Sequence, residues 1–396
     1  MHLLLFNPSN DMALAANGES YVPPKNVRQM EDDLALFPWA WADDEDVVLP
    51  ANFSMGGKEQ PNVWRADGEE IDFSRCVPKP WGWSRSLRNK LLQWGVPEEN
   101  MPDNAAIDEW RQWSSREFAA KYIQCFLSEL ERTEKENRSV FVGEEMQFCS
   151  RMEQIQCSPF HPSIFKSPWS SSGRGVFVAE EMSGRIRKRI EGVLRHQGGI
   201  LIDRFYQKRM DFAMEFEAKT SGEVTFLGYS VFQADEDGRY GGNRVASQRV
   251  LQEELQTVCG KEKMAVLAST VQLHQRLLED AFRGRYVGPV GIDMLMCEED
   301  GEIKIHPCVE INLRMNMGIV AIRLAQKLDE LRTMVQQGMG YDECRRNQRF
   351  RFLDFLPEAD FKSCILSSTR LPLSPKREHG FQASVEAGRL VITFSS

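Results

Sequence analysis

Asp293 lies inside Val290-Gly-Ile-Asp-Met-Leu-Met-Cys297, and Glu310 and Asn312 lie inside Ile303-Lys-Ile-His-Pro-Cys-Val-Glu-Ile-Asn312. Both runs are apolar, and a carboxylate embedded in such a run is costly unless a cation or donor compensates it. Glu298-Glu-Asp-Gly301 between them is a turn signal, so the runs read as two adjacent strands, with Glu310 and Asn312 on one face. Hard carboxylate and amide oxygens facing one point suit magnesium, which keeps waters and takes its remaining ligands from phosphates. Arg314 continues that face, where it can neutralise charge on a transferring phosphoryl group. Glu298, Glu299 and Asp300 read as solubilising turn acids.

Two upstream segments supply what a nucleotide would need. Ile164-Phe-Lys-Ser-Pro-Trp-Ser-Ser-Ser-Gly-Arg-Gly-Val-Phe-Val178 reads as strand, polar loop, strand. Small residues there, among them Ser171, Ser172, Gly173 and Gly175, expose backbone N–H groups that can cradle anionic oxygens, and Lys166 adds a point charge. Gly199-Ile-Leu-Ile-Asp-Arg-Phe-Tyr206 is a strand that breaks into polar residues. Alternating Phe212, Met214 and Phe216 mark the next strand, and a connector between two strands can offer backbone groups to a base edge. The sequence has no G-x-x-x-x-G-K-[ST] and no G-x-G-x-x-G after a strand, and Gly56-Gly-Lys58 is followed by Glu59.

These segments need a scaffold. A chain of 396 residues exceeds what one hydrophobic core serves. His2 to Phe6, ending in Asn-Pro-Ser-Asn-Asp, reads as a buried strand, a turn and a helix start, and short apolar runs at Val47 to Leu49 and around Val77 continue an α/β pattern. All nine tryptophans fall within the first 169 residues, where Trp39-Ala-Trp41 and Trp81-Gly-Trp83 read as fillers of an inter-domain core. Ser114-Ser115 caps a helix over Phe118 to Leu130. Helical patterns follow at Met182 to Arg195, Val258 to Phe282 and Ile319 to Gln337, and a hairpin is signalled around Glu386-Ala-Gly388. The expected fold is α/β and α+β multidomain: an α/β domain over 1–113, a central subdomain over 114–200, a metal-bearing subdomain over 201–345 and a small antiparallel appendage over 346–396.

Composition narrows the partners. Net charge is 49 − 58 = −9, which argues against a general nucleic-acid surface. No apolar stretch is long enough for a membrane span, and Met1-His2 lacks a basic leader, so a cytoplasmic address is expected. Nine scattered cysteines without a C-x-x-C pair suit reduced thiols, and the six histidines contain no H-E-x-x-H.

Taken in order, Lys166, the loop ending Gly173-Arg-Gly175, the Asp203 to Tyr206 connector, Asp293, and Glu310-Ile-Asn312-Leu-Arg314 resemble the ATP-grasp superfamily over about residues 115 to 340. The resemblance implies a two-subdomain grip on ATP behind a pre-ATP-grasp-like N-terminal domain, with the loop, Arg174 included, as a mobile lid. It implies that Lys166 contacts the α- and β-phosphates and that Arg116 is the earlier basic residue, where many members carry Lys and where Lys121 competes. Asp203, Arg204, Phe205 and Tyr206 would present backbone to adenine, Asp211 would hold ribose, and Leu295 would lie under the base. Magnesium, with manganese as its alternative, would sit on Asp293, Glu310 and Asn312, with Lys166 and Arg314 catalytic. The implied reaction is activation of a small-molecule carboxylate as an acyl phosphate for an amine or thiol, releasing ADP and phosphate. A kinase acting on a hydroxyl, or a nucleotide-binding module without catalysis, are the alternatives. The start Phe6-Asn-Pro-Ser-Asn-Asp is similar to that of bacterial ATP-grasp proteins, so Asn7, Asn10 and Asp11 are expected at an acceptor site; a homodimer is compatible.

Overall fold

The computed structural model describes residues 1–43, 46–49, 71–158, 161–170, 175–234, 240–367 and 370–395. Gly56-Gly-Lys58 and Trp64 lie outside them. The chain forms two compact units, one of residues 1–107, 242–247 and 315–396, the other of residues 108–241 and 248–314.

The first unit is built on a parallel sheet in which His2–Leu5 lies between Val47–Leu49 and Val77–Pro80. The central strand is buried, whereas Pro78 and Pro80, unable to donate to a ladder, occupy the edge strand. Leu3, Leu5, Val47 and Leu49 pack with Leu87, Leu91 and Trp94 of the helix Arg85–Gln93 and its end. The tryptophan pairs fill this unit's own interior: Phe6, Phe37, Trp41 and Trp81 form an edge-to-face chain, and Trp39 stacks on Phe355 at 5.4 Å. Past the central strand, Asn7 Nδ2 donates to the Gly82 carbonyl at 2.8 Å. Asn10 presses on the same glycine, where a Cβ would come within 2.4 Å of it.

The C-terminal hairpin forms as signalled, from Gly380–Glu386 and Arg389–Ser395, with Ala387 and Gly388 both at positive φ (47° and 74°) as a two-residue turn of the primed type requires. It is not a separate appendage. Asn243 and Arg244 pair with Leu390 and Arg389, and Asp33 accepts from Phe381 N at 2.9 Å and pairs with Arg377. The helix Met317–Gln336, capped by Asn316, also belongs to this unit, so the boundary placed at 345 falls instead after Arg314.

The second unit holds two antiparallel sheets. The smaller runs in the order Gln147–Cys149, Ile200–Arg204, Ser163–Lys166, Val176–Ala179. The larger contains Glu302–Asn312, Gly288–Glu299, Gln207–Ala218 and Val224–Ala234. A division at 200/201 would cut the second strand of the smaller sheet from its neighbours. The single helical pattern expected over Val258 to Phe282 is two helices, Gln248–Ser269 and Val271–Phe282. Gly260, at φ 84°, kinks the first, and Thr270 Oγ1 bonds the Leu267 carbonyl at 2.8 Å where they part. No helix among the described residues is long and apolar enough to cross a membrane.

His274 packs between these helices and Arg116–Thr133, its ring stacked on Phe126 and Tyr122 and its Nδ1 2.8 Å from the Tyr122 hydroxyl. Its Nε2 has no hydrogen-bond partner among the described residues, and burial pushes its pKa down from 6.5 to about 3. The unfolded chain therefore takes up the proton first, and stability present above pH 6.5 is lost as pH falls toward 3. The expected slope from this group approaches about 1.4 kcal/mol per pH unit. Urea titrations between pH 7 and 4 should show a smaller acid loss in His274→Phe than in the parent protein; equal losses would refute the assignment.

Candidate active site

Gly288–Glu299 and Glu302–Asn312 pair as the turn signal predicts, with Asp300 and Gly301 both at positive φ between them. Asp293 stands opposite Glu310 and Gly291 opposite Asn312, so the three oxygen-bearing side chains share one face. The next strand adds a fourth: Gly291 also pairs with Glu215, which is fully buried and accepts a hydrogen bond from Ser230 Oγ at 2.8 Å. Burial, with the charges of Glu310 and Glu215 beside it, pushes the Asp293 carboxyl up to about 8, while Arg314 and a hydrogen bond with Asn312 act the other way. Part of Asp293 nevertheless stays open to solvent.

Carboxylates that repel one another are relieved by a divalent cation, and the Asn312 amide adds a neutral oxygen, so the donor set fits magnesium. Among the described residues no group of three His, Cys, Asp or Glu side chains is arranged to hold a metal. The ion would therefore draw its other ligands from water and phosphate, as magnesium does.

Arg116 ties this face to the polar loop. Ser115 Oγ accepts from Phe118 N and starts the helix Arg116–Thr133 where the sequence places it. The buried guanidinium then donates through Nη1 to the Ser167 carbonyl (2.5 Å) and Ser170 Oγ (2.8 Å), and through Nη2 to Glu310 Oε2 (2.7 Å). Its Nε has no partner among the described residues. Lys121 is 71% exposed and pairs with Glu117 one turn back, so of the two basic candidates only Arg116 faces the site.

Lys166 ends the strand Ser163–Lys166 and is 7% exposed. Burial lowers its pKa; Asp203 is the strongest charge favouring the ammonium, Arg116 opposes it and Glu310 supports it. At the base of the loop, Ser167 N and Oγ both bond the Gly175 carbonyl, at 3.0 and 3.3 Å. Gly175, at φ 75°, has no room for a Cβ, which would fall 2.6 Å from Ser167 Oγ. Ser171, Ser172, Gly173 and Arg174 lie outside the described residues.

The connector is shorter than the sequence suggests, because Ile200–Arg204 and Gln207–Ala218 leave only Phe205 and Tyr206 between them. Several of its groups are committed within the protein. Asp203 accepts from Arg204 N and from His306 Nε2, the Arg204 guanidinium pairs with Glu299, and Phe205 N donates to the Pro162 carbonyl at 2.9 Å. Asp211 takes Lys208 Nζ at 2.6 Å. Tyr206, by contrast, is buried with Val142 and Cys297, and Leu295 packs against them to form an apolar cluster. Of the three turn acids expected to be solubilising, Asp300 is exposed, whereas Glu298 pairs with Arg209 and Glu299 with Arg204.

Among the described residues, Glu215 and His306 lie near the site and are not singled out by the sequence. Glu215 carries a faint signal, since it alternates with the core residues Met214 and Phe216 and so shares a face with Ala213; His306 carries none.

No family model and no curated protein matches the chain. Solved structures to which it is similar include a biotin carboxylase–βγ-ATP complex from Campylobacter jejuni, 14% identical over 63% of this chain and 53% of that one, with a TM-score of 0.39. They also include pyruvate carboxylase from Rhizobium etli, 11% identical over 85% and 28% with a TM-score of 0.44. A third is N5-carboxyaminoimidazole synthetase from Staphylococcus aureus complexed with ADP, 7% identical over 81% and 77% with a TM-score of 0.38. The chain thus spans about half of the biotin carboxylase and under a third of the pyruvate carboxylase. The similar structures are ATP-grasp enzymes, but at these scores the likeness carries no argument about this chain's activity.

Proposed function

We propose that the chain is a magnesium- and ATP-dependent ligase of the ATP-grasp type, with its nucleotide site in the second unit. The observation that carries this is convergence: Asp293, Glu310 and Asn312 share one face of the larger sheet, and Arg116 links Glu310 to the polar loop that begins beside Lys166. A divalent cation on the acids and buried cations beside a small-residue loop are the two halves of a polyphosphate site.

In this reading Lys166 and the loop hold phosphate oxygens, and Leu295 and Tyr206 offer an apolar floor to the base. Magnesium bound by Asp293, Glu310 and Asn312 would neutralise phosphate charge. A substrate carboxylate attacks the γ-phosphorus as the bond to ADP breaks, with Arg314 stabilising the charge of the transferring group. An amine or thiol then displaces phosphate from the acyl phosphate. A hydroxyl acceptor would instead leave a stable phosphorylated product, so the products distinguish ligase from kinase.

ATP with magnesium, at about 100 times its dissociation constant, should stabilise the protein by roughly 2.7 kcal/mol in thermal melts, and ATP with chelator by less. No shift in either condition would refute the nucleotide assignment. Phosphate release that requires both an acid and an amine or thiol would establish the ligase, and release of phosphate with neither would count against it.

A further inference from the structure

His306 is the least expected residue beside this site. It is wholly buried and lies four residues before Glu310. Its place comes from an irregularity: Asp293 pairs with Glu310 but Leu295 pairs with His306, so the strand Glu302–Asn312 carries two extra residues between them, Pro307 among them. Just before the bulge, Ile305 bridges to Phe141, and its carbonyl accepts from Val142 N at 3.0 Å. Beside that bridge Gly143 leaves room for the imidazole, since a Cβ there would fall 3.0 Å from His306 Nε2.

The ring is thereby aimed out of the larger sheet at the smaller one. His306 Nε2 lies 3.0 Å from Asp203 Oδ2, with both side chains 3% exposed or less. An ionised carboxylate only accepts, so Nε2 carries the proton and donates it. The other Asp203 oxygen is held by Arg204 N at 2.8 Å, and the ring meets Tyr206 edge-to-face at 5.5 Å. Asp203 pairs with Ile164 and Leu201 with Lys166, which puts Asp203 and Lys166 on one face of the smaller sheet as diagonal neighbours.

We propose that His306 is a positioning residue for nucleotide binding: by donating to Asp203 it keeps that carboxylate from capturing the Lys166 ammonium, leaving the ammonium free for phosphate oxygens, and it fixes the connector Phe205–Tyr206. Asp203 is the charge that most favours the Lys166 ammonium, so a buried carboxylate left without its donor has that cation at hand. This rests on the proposed nucleotide assignment.

The test is calorimetric binding of ADP with magnesium, well below the melting temperature, to the full chain and its variants. His306→Phe keeps the ring and its contact with Tyr206 but removes the donor, and should weaken binding at least 10-fold. His306→Gln returns an N–H near the position of Nε2 and should restore affinity to within about threefold of the parent. A residue that served only stability would lower the melting temperature of His306→Phe without changing the affinity of the folded protein, and that result would overturn the inference. Where His306→Phe does not fold, the double variant with Asp203→Asn serves, since it keeps the shape and removes the charge that would capture Lys166: its affinity should lie within about threefold of the parent, and a loss of 10-fold or more would refute the coupling. Parent protein that binds no ADP would refute the nucleotide assignment itself, and the inference with it.

Discussion

Glu310→Gln is expected to abolish magnesium-dependent ATP turnover while leaving the chain folded. The substitution keeps the side chain's shape and an oxygen that can still accept from Arg116 Nη2, so the link between helix and strand survives as a neutral hydrogen bond. What disappears is the charge that would hold magnesium and balance the buried guanidinium. Losing one preorganised electrostatic contact of this kind costs about 10²–10³ in rate, and here the same carboxylate would serve magnesium as well as Arg116. The acid cluster provides a second readout. Glu310 is the leading charge that raises the Asp293 carboxyl, so removing it should bring that carboxyl down from about 8 without returning it to the ordinary range, because burial remains the larger cause. Carboxyl NMR titration of the metal-free protein would detect this. Glu298→Gln, which alters an acid paired with Arg209 at the turn, is the control and should be silent. Turnover of Glu310→Gln at the parental rate would remove the metal assignment.

The second large effect is expected at Lys166. Lys166→Met retains the aliphatic stem that fills the strand and removes the ammonium, and nucleotide affinity should fall about 100-fold, equivalent to roughly 2.7 kcal/mol. The nucleotide-free protein should lose little stability or gain some. A buried ammonium is costly to desolvate, and here it stands with Arg116, a like charge, as well as with Asp203 and Glu310. Loss of binding without loss of stability is the mark of a residue kept for its ligand. Calorimetry and melting of the same sample decide the matter: an affinity within threefold of the parent would exclude Lys166 from the phosphate site. A large fall in melting temperature would mean that the ammonium serves the fold.

How much of this is visible in the chain depends on the range of the forces involved. Local signals are accurate. The apolar run His2 to Leu5 forms the central parallel strand, Ser115 caps the helix that begins at Arg116, and the Glu298 to Gly301 turn joins the two strands it separates. These features depend on side-chain alternation, capping and turn geometry within a few residues, all written directly in sequence. One local error has a local reason: the apolar periodicity over Val258 to Phe282 continues across the break at Thr270, and the kink at Gly260 comes from a conformation that glycine permits and does not compel.

That Asp293, Glu310 and Asn312 share a face is legible because period-two geometry and the cost of buried carboxylates need no tertiary information beyond one hairpin. Arg116 is not separable from Lys121 on that basis. Both are basic and five positions apart on one helix, and only the fold buries the first against Ser167 and Glu310 while leaving the second in water. Asp203 is read in sequence only as part of a connector that presents backbone, because the partner of its carboxylate lies 103 residues away, on a strand whose bulge turns His306 toward it.

The sequence by itself thus determined the strands, their turns, and which oxygens and cations stand in apolar surroundings where a partner is required. Tertiary structure alone decided which charges meet: Glu215 beside Asp293, Arg116 on Glu310, His306 on Asp203, and the C-terminal hairpin within the unit of the first 107 residues. The reason is that the strength of an ion pair depends on a few ångströms of separation and on the water excluded around it. Neither quantity exists until segments far apart in the chain are packed together.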